Sequence, residues 1–389
     1  MIEKVRDDVK DVEFVLPCTP TQEGMLSETI KDPATYWSHH VFKLADNVDI
    51  SALFNAWNAV ANRTQALRTS FVPAATYGLK ESVFLQCIQA SPKLLVEEVQ
   101  YNEDKILEER VRNIVNSWSS SNRPPVALTL ATKSDGSRYL MTSLHHAIYD
   151  GDSLSFIYQD VEAAYKQVDV VKRTSLKSAM AFMNADSNKT KEFWTKVLEP
   201  FAESSNAEWP VLHNDKAQHS LRFWTKGFSD VKRPQINQLL QAAWAVLQSR
   251  YTSTTDVIFG ETLSLRGLAE GLDSAVAPLI ATLPVAVRVD ENATAKQLIE
   301  RLSQLAAESA PHRFVGLQHV RQALKYASGA PLFPALFVLI VESGETIEED
   351  LFKDRFEIGE LDVEHPIAIN AFVRGDSVQV DILGSNSMM

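Results

Sequence analysis

Two adjacent histidines, an aspartate four residues further on and a glycine fall in one short stretch, Ser143-Leu144-His145-His146-Ala147-Ile148-Tyr149-Asp150-Gly151. A neutral imidazole accepts a proton from an amine or hydroxyl near neutral pH, because its ordinary pKa is about 6.5. Neighbouring residues of an extended backbone point to opposite sides, so only one of His145 and His146 can face a reaction. For the same reason the two rings do not chelate one metal with Asp150. A metal centre also needs three or four convergent ligands, and no second His, Cys or Glu cluster stands in register. Asp150 has two possible uses: polarising an imidazole, or holding the loop by pairing with an arginine elsewhere. Gly151 allows a tight turn or a close approach to a ligand. So short a pattern, taken alone, more often marks two ordinary histidines in a capped turn, and the rest of the chain has to decide.

The elements that position this stretch are readable on both sides. Arg138 to Leu144 alternates and is rich in β-formers, which predicts a strand. Ser153 to Tyr165 carries Leu154, Ile157, Tyr158, Val161 and Ala164 at helical spacing, with Asp152 or Ser153 as N-cap. Thr19-Pro20 opens a helix with threonine as cap and proline in the first turn. Strands are expected at 36–44, 67–72, 81–88 and 126–131, and helices at 50–63 and 103–118. A polar stretch from 166 to 192 reads as a linker, with a short helix at 176–183. Beyond a polar loop at 203–215 the pattern resumes. Strands are expected at 220–228, 256–260, 284–289, 332–341 and 377–382. Helices are expected at 192–198, 295–308 and 235–250, the last with Ile236, Leu239, Leu240, Ala243, Trp244 and Leu247 as its apolar set. The two halves share a composition without sequence repetition. This predicts two α/β domains, residues 1–172 and 173–389. The chain stops just after a strand, which suggests a domain cut from a longer polypeptide.

Size and composition set limits on function. The 389 residues suffice for two cores, and 45% apolar with 23% charged residues matches a globular protein. A net charge of −12 argues against nucleic acid or an anionic membrane surface as partner. Cys18 and Cys87 have no metal-ligand spacing and make no disulfide framework. The charged N-terminus is no signal peptide, and no run reaches bilayer length. A cytoplasmic location is expected. The chain contains no G-x-S-x-G elbow, no phosphate-binding G-x-x-x-x-G-K-[ST] loop and no dinucleotide fingerprint.

Several weak motifs then converge in order. His145-His146-Ala147-Ile148-Tyr149-Asp150-Gly151 matches the H-H-x-x-x-D-G signature of condensation domains of nonribosomal peptide synthetases. Arg63-Thr64-Gln65-Ala66-Leu67-Arg68-Thr69-Ser70-Phe71 is similar to that family's R-H-x-x-L-R-T-x-F segment, with Thr64 in place of histidine. The stretch from Thr19 to Leu26 resembles the opening of fungal members. Pro278 to Arg288 resembles a later segment that ends in a structurally placed arginine. Gln241-Ala242-Ala243-Trp244 and Phe259 to Ser264 also fit. The segment around 176–183 and the stretch after Phe314 depart from the family pattern, and its final helix is missing. The chain thus resembles a fungal condensation domain, with the flavour of synthetases that make hydroxamate siderophores.

The resemblance implies two chloramphenicol-acetyltransferase-like lobes in a V shape, each a mixed sheet flanked by helices, with the active site between them. It implies an acyltransferase that joins a donor acyl or peptidyl thioester to the amine of an acceptor aminoacyl thioester. The 4'-phosphopantetheine arms of upstream and downstream peptidyl carrier domains would enter as parts of the substrates. The domain would have no cofactor of its own, an adenylation domain would neighbour it in the same polypeptide, and the excised domain would be monomeric. His146 is the histidine implied to face the reaction, and His145 is implied to be structural. Asp150 is expected to pair with Arg288, with Gly151 and Ser153 supporting the helix start. An acyl-CoA-dependent relative is disfavoured, because the D-F-G-W-G segment of plant-type members is absent. A terminal domain that cyclises and releases the peptide often loses the first histidine, which is present here. A silent docking domain would not need His146 and Asp150 intact.

Overall fold

The computed structural model describes residues 2–79, 82–91, 94–101, 103–119, 121–183, 187–202, 219–227, 233–314, 316–325, 333, 335–341, 351–352, 356–358 and 367–384. The polar loop expected at 203–215 and the last five residues lie outside that set. The strands are β1 (Val12–Pro17), β2 (Trp37–Lys43), β3 (Thr69–Pro73), β4 (Phe84–Gln89), β5 (Leu95–Gln100), β6 (Val126–Thr132), β7 (Arg138–His145), β8 (His219–Lys226), β9 (Asp256–Ser264), β10 (Ile280–Arg288), β11 (Ala335–Val341), β12 (Phe356–Glu357), β13 (Ile367–Arg374) and β14 (Ser377–Gly384). The helices are α1 (Ile2–Val5), α2 (Pro20–Lys31), α3 (Ile50–Arg63), α4 (Asp104–Ser119), α5 (Gly151–Tyr165), α6 (Leu176–Met183), α7 (Ser187–Leu198), α8 (Arg233–Thr252), α9 (Ala295–Ser309) and α10 (Leu317–Ala323).

The chain forms two compact units, and they are not the contiguous halves 1–172 and 173–389. One comprises Met1–Met183, Leu265–Leu279 and Ile347–Glu360; the other comprises Asn184–Ser264, Ile280–Thr346 and Leu361–Met389. The first therefore takes in two segments from late in the chain. One of them, Leu265–Leu279, runs between β9 and β10 of the second unit.

The first unit is built on a mixed five-stranded sheet in the order β12-β2-β7-β6-β5, beside a small sheet β1-β4-β3. Only β5 and β6 run parallel in the larger sheet. Helices α3 and α5 bury an apolar face against it. Trp57, Leu53, Ile157 and Val161 from the helices meet Phe42, Leu128, Leu140 and Leu144 from the strands. Burying such side chains stabilises the fold by about 1.5–3 kcal/mol each. Strand β5 is exposed at the edge, and Glu97 and Glu98 obscure its apolar alternation. The stretch 67–72 begins as a 3-10 turn, Gln65–Arg68, before β3.

The second unit carries a mixed six-stranded sheet, β10-β9-β11-β13-β14-β8, packed by α8 and α9. The buried face of α8 differs from the expected one. Leu239 and Leu247 are more than a third exposed, whereas Gln238, Gln241 and Gln248 are buried beside Ile236, Ala242 and Ala245. One half of the Gln248 amide is bonded there: Nε2 donates to the Ile258 carbonyl at 2.9 Å. Ile236 and Trp244 of the expected set are buried and Leu240 packs against the core, so apolar periodicity selects only part of the buried stripe.

Candidate active site

Strand β7 ends at His145, and His146-Ala147-Ile148 form a single 3-10 turn before α5. Asp150, rather than Asp152 or Ser153, is the N-cap. Its Oδ1 accepts from the Ser153 backbone N–H at 2.8 Å, which starts the helix two residues earlier than its apolar spacing suggests. Gly151 is the first helical residue and its backbone is not left-handed. A Cβ built there meets nothing within 4 Å, so neither a tight turn nor close packing explains the glycine.

His145 is fully enclosed. Its Nδ1 accepts from the Ala147 backbone N–H at 3.0 Å, which leaves the proton on Nε2, and that N–H donates to Thr29 Oγ1 at 2.8 Å. Thr29 in turn donates to the Met25 carbonyl at 2.8 Å. The ring stacks on Trp118 and meets Trp37 edge-on, at centroid distances of 5.3 and 5.4 Å. Burial, with a smaller push from His146, lowers its pKa to about 3. Both nitrogens are occupied and the ring is neutral, so it has no free atom for chemistry.

Helix α2 holds this turn at a second point. Gln22 completes a capping box with Thr19, and its Nε2 donates to the Ala147 carbonyl at 2.8 Å and to Gln86 Oε1 at 2.9 Å. Gln22 and Thr29 lie seven residues apart, two helical turns on one face, and grip the peptide on either side of His146. The opening segment Thr19 to Leu26 therefore clamps the histidine turn.

His146 keeps a partly exposed edge. Its ring stacks on Tyr149 at 4.4 Å and its backbone N–H donates to the Tyr36 carbonyl at 2.8 Å. Nε2 lies 3.4 Å from Ser38 Oγ, a long contact. Desolvation lowers its pKa to about 4; the Glu357 charge opposes that shift, His40 adds to it, and Asp150 opposes it more weakly. The imidazole is thus neutral at pH 7, and among the described residues its Nε2 has only the long contact with Ser38.

Asp150 does not pair with Arg288. It is 3% exposed, and its Oδ1 accepts from Arg266 Nη2 at 2.6 Å while Oδ2 accepts from the Leu279 N–H at 3.0 Å. Arg266 also donates to the carbonyls of Leu272, Asp273 and Ala275 and to Ser153 Oγ, and pairs with Asp152 at 3.0 Å. Ser153 Oγ donates to the Ala277 carbonyl at 2.8 Å and accepts from its N–H at 3.1 Å. The segment 265–279 is thereby locked onto the start of α5. Arg288 lies at the end of β10 in the second unit, is 61% exposed on its side chain, and pairs with Asp256 at 2.5 Å. The two residues face each other across β9 and β10, in register, which satisfies both locally. Sequence reading missed Arg266, although it stands two residues after the quoted Phe259 to Ser264 stretch and beside Gly267.

The second quoted motif has a structural use as well. Arg68 is buried and pairs with Glu13 at 2.8 Å, and it also donates to the carbonyls of Gln89 and Ala90. Thr64, at the position where histidine is usual, caps α3 through its backbone. Among the described residues no group of three or more His, Cys, Asp or Glu side chains is placed to hold a metal ion. Cys18 and Cys87 are buried free thiols, and desolvation raises the pKa of both, to about 12 for Cys87.

The sequence matches the Condensation domain family over residues 12–383. The chain belongs to the condensation-domain family. It is 35% identical over 99% of its length to nonribosomal peptide synthetase fso1 of Omphalotus olearius, and 29% identical over 97% to nonribosomal peptide synthetase sidC of Aspergillus fumigatus. It spans only 9% and 8% of those two multidomain synthetases. Among solved structures, the condensation domain from the monacolin K polyketide synthase MokA superposes with a TM-score of 0.69 at 15% identity, covering 97% of this chain and 94% of that one. The X-domain solved in complex with OxyB from teicoplanin biosynthesis gives 0.73 at 16% identity, covering 97% and 90%. This condensation domain therefore has the α/β fold and acyltransferase type of a fungal nonribosomal peptide synthetase family. Among the described residues no helix is long and apolar enough to cross a membrane.

Proposed function

We propose that this condensation domain joins a donor acyl or peptidyl thioester to the amine of an acceptor aminoacyl thioester, in the cytoplasm, with both held on the phosphopantetheine arms of flanking carrier domains. An adenylation domain in the same polypeptide would supply the activated acceptor. The supporting observation is the division of labour within one turn. His145 and Asp150 have every polar atom engaged, while His146 is a neutral imidazole with only a long contact at Nε2.

The amine lone pair attacks the thioester carbonyl, and a C–N bond forms. The nitrogen of the tetrahedral adduct becomes cationic, and His146 Nε2 takes its proton. The C–S bond then breaks, and the same proton goes to the leaving sulfur, so atoms and charge balance. A ring of pKa about 4 is a poor base toward a free ammonium. It is better matched to the far more acidic N–H of the adduct. Holding amine and thioester together supplies a further part of the acceleration.

The test loads matched donor and acceptor carrier proteins and follows transfer by mass spectrometry. Peptidyl transfer to the acceptor arm is expected. Release of a cyclic product without an acceptor carrier, or binding without turnover, would overturn the reading in favour of a terminal or a docking domain.

A further inference from the structure

A carboxylate outside the histidine motif stands on the sheet face that His146 meets. Strand β12 pairs antiparallel with β2, with Glu357 opposite His40 and Phe356 opposite Val41, and the Ile358 N–H donates to the His39 carbonyl at 3.0 Å. Side chains directly opposite in such a pair share one face of the sheet. Ser38 and His40 are two residues apart on β2 and share that face too. It is also the face to which His146 presents Nε2, through the contact with Ser38. Glu357 Oε1 lies 3.4 Å from His40 Nε2. The other nitrogen of His40 bonds Tyr158 Oη at 3.0 Å, and Tyr158 Oη bonds Thr142 Oγ1 at 2.8 Å. His40 is therefore fixed from behind by α5 and β7, and presents a fixed partner to Glu357. The Glu357 side chain is half-exposed, with an accessibility of 50%.

Among the described residues, the other charged or titratable groups near His146 are His145 from β7, Tyr149 from the turn, His40 from β2 and Asp150 from the cap. Asp150 is already neutralised by Arg266 at 2.6 Å.

We propose that Glu357 is a positioning residue for His146, supplying the counter-charge for the imidazolium that forms when His146 takes the proton of the attacking amine. The proposal rests on the condensation reading for the role of His146. The proton leaves the cationic nitrogen of the adduct, resides on Nε2, and passes to the sulfur as the C–S bond breaks. Glu357 donates and accepts nothing in this sequence and acts through charge. A carboxylate fixed on the sheet favours the cationic ring without entering the reaction.

The experiment uses the whole chain and its Glu357→Gln and Glu357→Asp variants. Ring-labelled histidine NMR follows the His146 signal, assigned with His146→Gln, and reads its imidazolium fraction at pH 5. Transfer between loaded carriers is measured in parallel, and thermal unfolding checks the fold. In Glu357→Gln the imidazolium fraction falls, kcat drops by about tenfold with KM within twofold, and Glu357→Asp recovers part of both. A tenfold loss is well inside the ~10²–10⁴-fold that general acid–base help contributes. An unchanged His146 signal in Glu357→Gln overturns the proposal whatever the turnover. A shifted signal with unchanged kcat overturns the catalytic part. If the unaltered chain transfers nothing, the condensation reading fails, and the NMR comparison still decides whether Glu357 governs His146.

Discussion

Two arginine–aspartate pairs have nearly the same geometry and opposite surroundings. Arg266 meets Asp150 at 2.6 Å and Arg288 meets Asp256 at 2.5 Å. The first pair is 8% and 3% exposed on its side chains; in the second the arginine is 61% exposed. Water screens the second pair at its arginine, which would be solvated alone, while Asp256 is 16% exposed. In the first, the guanidinium also satisfies three backbone carbonyls, and the carboxylate caps a helix and takes a backbone N–H from a distant segment. Short distance does not distinguish a brace from a surface contact. Burial and the number of other groups that depend on the pair do.

The comparison predicts a ranking. Arg266→Met leaves the buried Asp150 carboxylate without its counter-charge and is expected to destabilise the fold by about 3–5 kcal/mol in urea titration; Asp150→Ala, which leaves Arg266 its Asp152 partner, is expected to cost less. Replacing both together should recover part of that loss, because no lone charge remains. A double variant as unstable as the sum of the singles would break the account of the brace.

Acidification comes next. Burial lowers the pKa of His145 to about 3 and of His39 and His146 to about 4. A histidine with a folded pKa below its unfolded value contributes stability that is complete above about pH 6.5 and lost as pH falls toward the folded pKa. Each of the three therefore reduces stability by up to about 1.4 kcal/mol per pH unit within its window. Glu23, Asp152 and Glu261, whose carboxyls burial raises, act in the opposite sense at the acid end. Urea midpoints measured from pH 7 to pH 5 should fall; constant midpoints would contradict the buried neutral rings.

Thr29→Val removes the acceptor of the His145 N–H and should cost about 1–3 kcal/mol. The cost should disappear in a chain that also lacks the His145 ring, which a thermal melt of the double variant checks. At the bottom of the ranking, Arg288→Ala should leave the unfolding midpoint unchanged within error. A large loss there would reverse the contrast between the two pairs.

The framework of the site was legible because local signals are strong where it lies. The alternation before His145, the cap chemistry of Thr19 and the helical spacing after Asp150 all predict elements that form. What was not legible is long-range. Arg266 comes from a loop 116 residues beyond Asp150, and Glu357 from a two-residue strand in a segment with no apolar period. Neither has a local pattern, since their meaning arises only when distant segments are brought onto one unit. The expected Arg288 partner fails for a local reason: Asp256, directly across the β9–β10 pair, reaches it first. Strand β13 was overlooked because Asn370 interrupts an otherwise apolar run.

The central claim is that His146 reacts and Asp150 braces. One paired measurement separates them: single-turnover transfer and melting temperature for His146→Ala and Asp150→Asn side by side. The account predicts that His146→Ala melts near the unaltered chain and loses most of its transfer, while Asp150→Asn loses melting temperature and transfer together. An Asp150→Asn chain that keeps its melting temperature but transfers nothing would contradict the account and put the aspartate into the chemistry.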